Sequence, residues 1–169
     1  ALQTNKKSAL TELYISTNNI SDVGAIAIAE ALKVNTTLEK LSISINDIGD
    51  AGAQAIAEAL KKNKTLITLY INMNMNKISN VGATAIAEAL KENTTLTQIN
   101  INRTNIDKVI NEQITNLIIK NRNLFLDQYI KTPTSKMVYG PLMDCNKIID
   151  KSTIMYIICK LKKLFPHKD

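Results

Sequence analysis

Apolar positions follow two alternating patterns along the chain. In the first, leucine or isoleucine occupies every second position of a short segment, as at Leu13 and Ile15. A period of two predicts a β-strand with one buried and one exposed face. In the second, alanine, isoleucine and leucine recur three or four residues apart in GAIAIAEALK, which starts at Gly24, and this period predicts an amphipathic helix. We therefore expect strands and helices in alternation, with the helices covering one face of a parallel sheet.

This strand-and-helix unit is repeated. The helix pattern GAxAIAEALKxN starts at Gly24, Gly52 and Gly82, at steps of 28 and 30 residues, and the two additional residues fall between Ile71 and Ile78. The strand pattern upstream of it occurs in four copies: Leu10, Leu13, Ile15, Asn18, Ile20; Leu38, Leu41, Ile43, Asn46, Ile48; Leu66, Leu69, Ile71, Asn76, Ile78; and Leu96, Ile99, Ile101, Thr104, Ile106. Repeats of this length are typical of a solenoid, in which each unit packs on its neighbours.

The strand pattern LxxLxLxxNxL resembles the leucine-rich repeat family. The 28-residue period and the GAxAIAEALKxN helix are similar to its ribonuclease-inhibitor-like subtype, over residues 10–123. The resemblance implies an α/β solenoid with a parallel sheet on the concave side and helices on the convex side. The expected segments are a flank or the end of a preceding repeat at 1–9, repeats at 10–37, 38–65, 66–95 and 96–123, and a C-terminal cap or basic tail at 124–169.

Both ends of the array are expected to differ from its middle. The first five residues, ALQTN, are similar to the ALKVN that closes a repeat helix, so the chain is interpreted as a piece of a longer array. Thr104 replaces the asparagine of the fourth strand pattern, and we expect the array to lose regularity there. A degenerate helix is predicted from 107 to 121, and LFLDQYI at 124–130 is predicted to add one last strand.

Asparagine recurs at two positions of the repeat. The first set lies where each strand turns away from the sheet: Asn18, Asn46 and Asn76. These carboxamides are predicted to hydrogen-bond the main chain of the turn and of the next repeat, as a structural ladder. The second set follows each helix: Asn35, Asn63 and Asn93. These residues are predicted to end the helices in the left-handed conformation.

Polar side chains alternate with the apolar strand positions, so equivalent residues are predicted to form rows on the concave sheet. These rows are the predicted binding site for a partner protein: Glu12, Tyr14, Ser16, Lys40, Ser42, Ser44, Thr68, Tyr70, Asn72, Gln98, Asn100 and Asn102. Tyr14 and Tyr70 are the predicted anchors, because aromatic rings with a polar tip are favoured at interfaces. The inserted residues 73–76 are either a recognition loop or a neutral duplication.

Composition and charge narrow the choice of partner. Hydrophobic residues make up 45% of the chain but aromatic residues only 4%, with no tryptophan, so the core must be aliphatic. The net charge of +6 is concentrated after residue 105, where eleven basic residues face six acidic ones; residues 1–105 hold ten and nine. The predicted concave rows contain one lysine and no arginine, so nucleic-acid binding is not expected.

No chemistry beyond binding is predicted. The chain shows no combination of nucleophile, base and orienting residue, and no glycine-rich phosphate loop. Cys145 and Cys159 are expected to be reduced thiols, and the single histidine, His167, has no cysteine at zinc-ligand spacing. We therefore expect no catalytic residue, no metal and no cofactor.

Two functions remain open. The first is a non-catalytic module that binds a protein on its concave sheet. The second is a membrane-associated adaptor in which a basic amphipathic helix within 147–165 contacts anionic lipid; the alternative role of that helix is to cap the array. No signal peptide or transmembrane segment is visible, so a cytoplasmic location is predicted. Isoleucine, asparagine and lysine make up 63 of 169 residues, a bias of AT-rich genomes, which extends the prediction to a bacterial effector secreted into a host cell.

Overall fold

The computed structural model describes residues 10–72, 76–100 and 106–130, with side chains up to residue 127. The chain divides into two compact units, 1–118 and 119–169. The described strands are β1 (Glu12–Tyr14), β2 (Lys40–Ser42), β3 (Thr68–Tyr70) and β4 (Gln98–Asn100). The described helices are α1 (Ser21–Val34), α2 (Asp50–Lys62), α3 (Asn80–Glu92) and α4 (Lys108–Ile130), of which α4 begins in the first unit and continues into the second.

The strands form one parallel sheet in the order β1-β2-β3-β4. Three rows of paired residues cross it: Glu12, Lys40, Thr68, Gln98; Leu13, Leu41, Leu69, Ile99; and Tyr14, Ser42, Tyr70, Asn100. The two inserted residues follow β3 and leave this register intact. The predicted α/β leucine-rich-repeat architecture is confirmed.

The core lies between the sheet and the helices and is aliphatic, as the composition indicated. Leu41 and Leu69 on the sheet and Ile56 and Ile86 on the helices are 0% exposed. Burying a leucine or isoleucine side chain stabilises the folded state by roughly 1.5–3 kcal/mol, so repetition of these positions supplies much of the stability of the array. Ile28, at the equivalent position of α1, is only partly buried.

Small residues allow neighbouring helices to approach closely. A Cβ added at Gly52 would lie 2.8 Å from the Cβ of Ala25 and 2.7 Å from Oδ1 of Asp22, both on α1. The same relation recurs one repeat later, where a Cβ at Gly82 would lie 2.8 Å from the Cβ of Ala53. These two glycines are therefore explained by the contact between helices.

Two of the turn asparagines, Asn46 and Asn76, join the strand-to-helix turns of neighbouring repeats, whereas the described side-chain bond of Asn18 goes to the carbonyl of Ser16 in its own turn. Oδ1 of Asn46 accepts a hydrogen bond from the backbone N–H of Asn18 at 2.7 Å, and its Nδ2 donates to the carbonyl of Ile15 at 2.9 Å. Oδ1 of Asn76 accepts from the backbone N–H of Asn46 at 2.9 Å. The expected bonds to the next repeat therefore run to the preceding repeat instead. Each carboxamide bonds backbone N–H and carbonyl groups that the preceding turn leaves free.

The helix-end asparagines, Asn35, Asn63 and Asn93, form a second set of bonds between repeats. Their φ angles are −74°, −68° and −78°, so the prediction of a left-handed conformation is wrong. The side chain makes that conformation unnecessary, since Oδ1 of Asn63 accepts from the N–H groups of Thr65 at 3.0 Å and Leu66 at 2.7 Å. Its Nδ2 donates to the carbonyl of Leu32, in the preceding repeat, at 2.8 Å.

Acidic residues at the helix starts form a third set of bonds, which the sequence analysis missed. Oδ1 of Asp22 accepts from the backbone N–H groups of Gly49 at 2.7 Å and Gly52 at 2.9 Å. Asp50 accepts in the same way from Ser79 and Gly82 of the following repeat. An acceptor here satisfies N–H groups that the first turn of a helix leaves free. The D/N-x-G spacing at the start of α1, α2 and α3 was the available indication.

The predicted strand at 124–130 is wrong. The segment continues α4, which runs from Lys108 to Ile130, because leucine and glutamine are good helix formers and no glycine or proline interrupts it. The predicted boundary at 123/124 falls inside this helix. The expectations for residues 1–9, for Thr104 and for residues 131–169 lie outside the described residues.

We predict unequal stability losses for two alanine substitutions in the second repeat. Asn63→Ala removes bonds both to its own loop and to the preceding repeat, whereas Gln54 is an exposed residue of α2. Because a buried polar group without a partner costs about 1–3 kcal/mol, Asn63→Ala should lower the free energy of unfolding by about 1–3 kcal/mol more than Gln54→Ala. Urea denaturation measures the difference, and equal losses would contradict the role assigned to the helix-end asparagines.

A second prediction concerns Asp50 and pH. Partial burial raises the pKa of this carboxyl, but hydrogen bonds from the Ser79 side chain and from the backbone of Ser79 and Gly82 outweigh it and leave the pKa below its ordinary value. A lowered pKa contributes stability above the unfolded-state pKa of about 3.9, and this contribution is lost as pH falls through the folded-state pKa. Urea denaturation between pH 7 and pH 2 should therefore show a smaller acid loss for Asp50→Asn than for the wild type. Asn80 occupies the equivalent place in α3, so asparagine suits the geometry; parallel pH curves would refute the prediction.

Candidate functional site

The sheet face is the accessible side of the four strands, formed by the outward residues of the first and third rows and by the residues that follow each strand. Leucine and isoleucine of the middle row point to the core, where Leu41 and Leu69 are fully buried. Strict alternation along each strand therefore places the polar residues on the opposite side. The three-residue strands and their register bring side chains from all four repeats onto one surface.

A hydrogen-bonded cluster of three side chains lies on β1 and β2. The phenol of Tyr14 donates to Oε2 of Glu12 at 2.9 Å, and Nζ of Lys40 donates to Oε1 of Glu12 at 2.6 Å. The Tyr14 side chain is exposed, at 59%. An exposed ion pair adds little stability, so the consequence of this cluster is orientation: Glu12 holds the ring and the ammonium group in defined positions.

The same contacts shift the ionisation of the cluster. Hydrogen bonds from Lys40 and then Tyr14 lower the pKa of Glu12. The hydrogen bond to Glu12 raises the pKa of Tyr14, with smaller contributions from desolvation and from the charge of Glu12. The hydrogen bond to Glu12 also raises the pKa of Lys40. At neutral pH the cluster therefore presents a neutral phenol beside a compensated ion pair.

Two of the predicted contact residues are buried and offer little surface to a partner. Ser42 is 8% exposed and Thr68 is 4% exposed. Ser42 lies in register between Tyr14 and Tyr70 and shares a hydrogen bond of 2.8 Å with the hydroxyl of Ser16. Because strands in a sheet lie about 4.8 Å apart, long side chains on both neighbouring strands enclose a short one. The expectation that every outward residue is accessible is therefore wrong at these two positions.

The other predicted residues keep accessible surface on the sheet face. Glu12, Tyr14 and Asn100 are exposed. The partly exposed members are Ser16, Lys40, Ser44, Tyr70, Asn72 and Gln98. Asn102 and the inserted residues 73–75 lie outside the described residues, and Asn76 belongs to the turn ladder.

The turns that follow β1 and β2 hold a feature that sequence reasoning did not identify. Thr17 and Ile45, at equivalent places in the two turns, have φ angles of 64° and 58°. The β-branched side chain disfavours this left-handed region. Asn19 and Asp47, two residues further on, repeat the positive φ angle with side chains that tolerate it better. The sequences of the two turns, STN at 16–18 and SIN at 44–46, gave no clear indication of a positive φ angle at their central residue.

The described residues supply no sign of a metal centre or a membrane span. Within 10–72, 76–100 and 106–130, no three histidine, cysteine, aspartate or glutamate side chains are grouped in a way that would hold a metal ion. None of the helices in those segments combines the length and the apolar character needed to cross a bilayer. Residues 147–165, the predicted membrane-contacting segment, are not among the described residues.

Short parallel strands in strict register, each followed by a helix and tied to its neighbour through buried asparagines, define a leucine-rich-repeat domain. A family model described as the TMOD/LMOD leucine-rich domain matches residues 1–135. The chain belongs to this TMOD/LMOD leucine-rich domain family.

Two solved structures are similar to this chain. One, titled "Leiomodin-1 Actin-Binding Site 2 (ABS2)", is 24% identical with a TM-score of 0.55, over 72% of this chain and 86% of that one. Another, the tropomodulin C-terminal domain of Caenorhabditis elegans, is 14% identical with a TM-score of 0.46, over 75% of this chain and 92% of that one. No curated protein matches the chain significantly.

The hydrogen bond between Tyr14 and Glu12 leads to a spectroscopic prediction. In Glu12→Gln the acceptor loses its charge, so the pKa of Tyr14 should fall toward its ordinary value near 10. Titration of ring-labelled tyrosine by NMR measures this pKa, and the resonance that disappears in Tyr14→Phe assigns the signal. An unchanged titration in Glu12→Gln would show that Glu12 does not hold the phenol in solution.

Proposed function

We propose that this leucine-rich-repeat domain is a non-catalytic protein-binding module and that its partner is actin, bound on the sheet face. The observation that carries the proposal is membership of the TMOD/LMOD leucine-rich domain family over residues 1–135. The leiomodin-1 domain of similar fold is titled as an actin-binding site, and this title supplies the identity of the proposed partner.

The chemistry of the sheet face supports a protein as the ligand. Tyr14 presents a large, rigid ring to solvent, and Tyr70 stands two strands away in the same row. Tyrosine is enriched among the residues that dominate binding energy at interfaces. Ser42 lies between the two tyrosines in this row and Asn100 follows Tyr70, so polar residues adjoin the anchors, as is common at interfaces.

The charges of the sheet face support the same interpretation. Its described charged residues, Glu12 and Lys40, bind each other. No basic stripe of the kind that follows a phosphate backbone is present among the described strand residues. The cluster also lacks a nucleophile paired with a base, so we propose no catalytic activity for it.

Two finer interpretations have different support. The ribonuclease-inhibitor-like subtype remains our proposal, supported by the 28-residue steps between paired residues of β1, β2 and β3. A role as a bacterial effector depended only on composition, and nothing in the fold or the family favours it. Lipid contact through residues 147–165 has no support from the described residues.

Actin binding by the whole chain tests the proposal. In co-sedimentation with filamentous actin and in pull-down with monomeric actin, the wild type should bind at least one form. Tyr14→Ala/Tyr70→Ala should weaken binding by about tenfold or more, because truncating an interface anchor commonly costs more than about 1.4 kcal/mol.

A matched double variant controls for nonspecific effects of substitution. Gln54→Ala/Lys62→Ala changes two exposed positions of α2, away from the sheet face, and should bind as the wild type does. Circular dichroism should show all three proteins equally folded. Failure of the wild type to bind either form of actin would refute actin as the partner, whereas equal binding by the tyrosine variant would refute the sheet face as the site.

A further inference from the structure

In the turn between β2 and α2, one residue combines a disfavoured backbone conformation with an exposed apolar side chain. Ile45 adopts a φ angle of 58°, in the left-handed region. An L-residue with a branched Cβ is a genuine outlier there, because the side chain crowds the following carbonyl. Glycine, asparagine or aspartate would adopt the same backbone at lower cost.

Ile45 is not part of the buried core. The Ile45 side chain is 40% exposed, whereas Ile43 and Ile48 on either side are 0% exposed and belong to the core. The neighbouring Asn46 makes the bonds that join the turn to the preceding repeat. The identity of residue 45 is therefore explained neither by the core nor by the ladder.

The position of Ile45 suits contact with a partner. It follows Ser44, at the carboxyl end of the sheet-face residues of its repeat, and the carbonyl of Ser44 accepts from the N–H of Thr17 in the neighbouring turn. Two residues further on, Asp47 pairs with Lys77 at 3.2 Å. An exposed apolar side chain thus stands between polar groups at the edge of the sheet face, the arrangement expected of an anchor with a polar rim.

We propose that Ile45 is an apolar contact for actin at the carboxyl edge of the sheet face. This inference rests on the proposed function and extends its surface from the strands to the turn. The turn imposes this backbone, but nothing in the fold requires isoleucine there, and a residue ill suited to its backbone is characteristic of binding sites. Thr17 has the equivalent backbone but a polar side chain, so the apolar contact belongs to the second repeat.

The test separates folding from binding by substituting asparagine, which tolerates a positive φ angle. Ile45→Asn should raise the Tm by about 2–5 °C, because it relieves backbone strain, and should weaken actin binding by about fivefold or more. Thr17→Asn makes the matching change at φ 64°; it should also raise the Tm but leave actin binding unchanged. Ile45→Val keeps an apolar side chain and should bind within about twofold of the wild type. Thermal unfolding by circular dichroism and co-sedimentation with actin measure the two effects on the whole chain.

Each outcome decides the proposal. A higher Tm together with weaker actin binding in Ile45→Asn alone supports it. Unchanged binding by Ile45→Asn, with the wild type binding actin, refutes this contact and leaves the proposed function standing. A lower Tm that accompanies weaker binding assigns Ile45 to folding and also refutes it. If the wild type binds no actin, the proposed function and this inference fall together.

Discussion

The structure depends on one constraint: irregular backbone is buried between repeats, and its polar groups need partners that a strand or helix does not provide. Asparagine meets this need at two positions of the repeat, because its short carboxamide offers an acceptor and two donors. At the turn, Asn46 and Asn76 bond the main chain of the preceding repeat. At the helix end, Asn63 and Asn93 do the same through carbonyls of the preceding helix. Strand register, and with it the arrangement of the sheet face, follows from these fixed points.

Much of the fold could be predicted from the sequence, because the residues that define the repeat are apolar side chains that need only to be buried. Leu41 and Leu69 face the core for the same reason in successive repeats, so a pattern alone places them. The alternation along each strand likewise placed Tyr14 and Tyr70 on the sheet face in register. The helices followed from the spacing of alanine, isoleucine and leucine, which need only an apolar surface to cover.

Other features depend on relations between residues that a linear pattern does not contain. Ser42 is enclosed because tyrosines occupy both neighbouring strands, which is a property of the row rather than of its strand. Asn63 ends its helix in an extended conformation because its side chain supplies bonds that the left-handed alternative would otherwise provide. The segment at 124–130 is helical because α4 continues into it, although its local composition was compatible with a strand. The proposed partner could not be predicted from the sequence pattern either, since it was suggested only by comparison with known proteins.

The carboxylate and carboxamide bonds run in opposite directions between neighbours: Asp22 reaches the following repeat, whereas Asn46 reaches back to the preceding one. Each repeat unit therefore carries a side chain that bonds the following repeat and another that bonds the preceding one. A tandem copy of such a unit, produced by unequal recombination, would fit beside its parent without further change. The fold is in this sense adapted to grow by duplication, and the lengthened turn before Asn76 shows where it accepts extra residues while keeping the bonds on either side. Variation in array length and in turn length can then alter what the surface recognises while the scaffold is inherited intact.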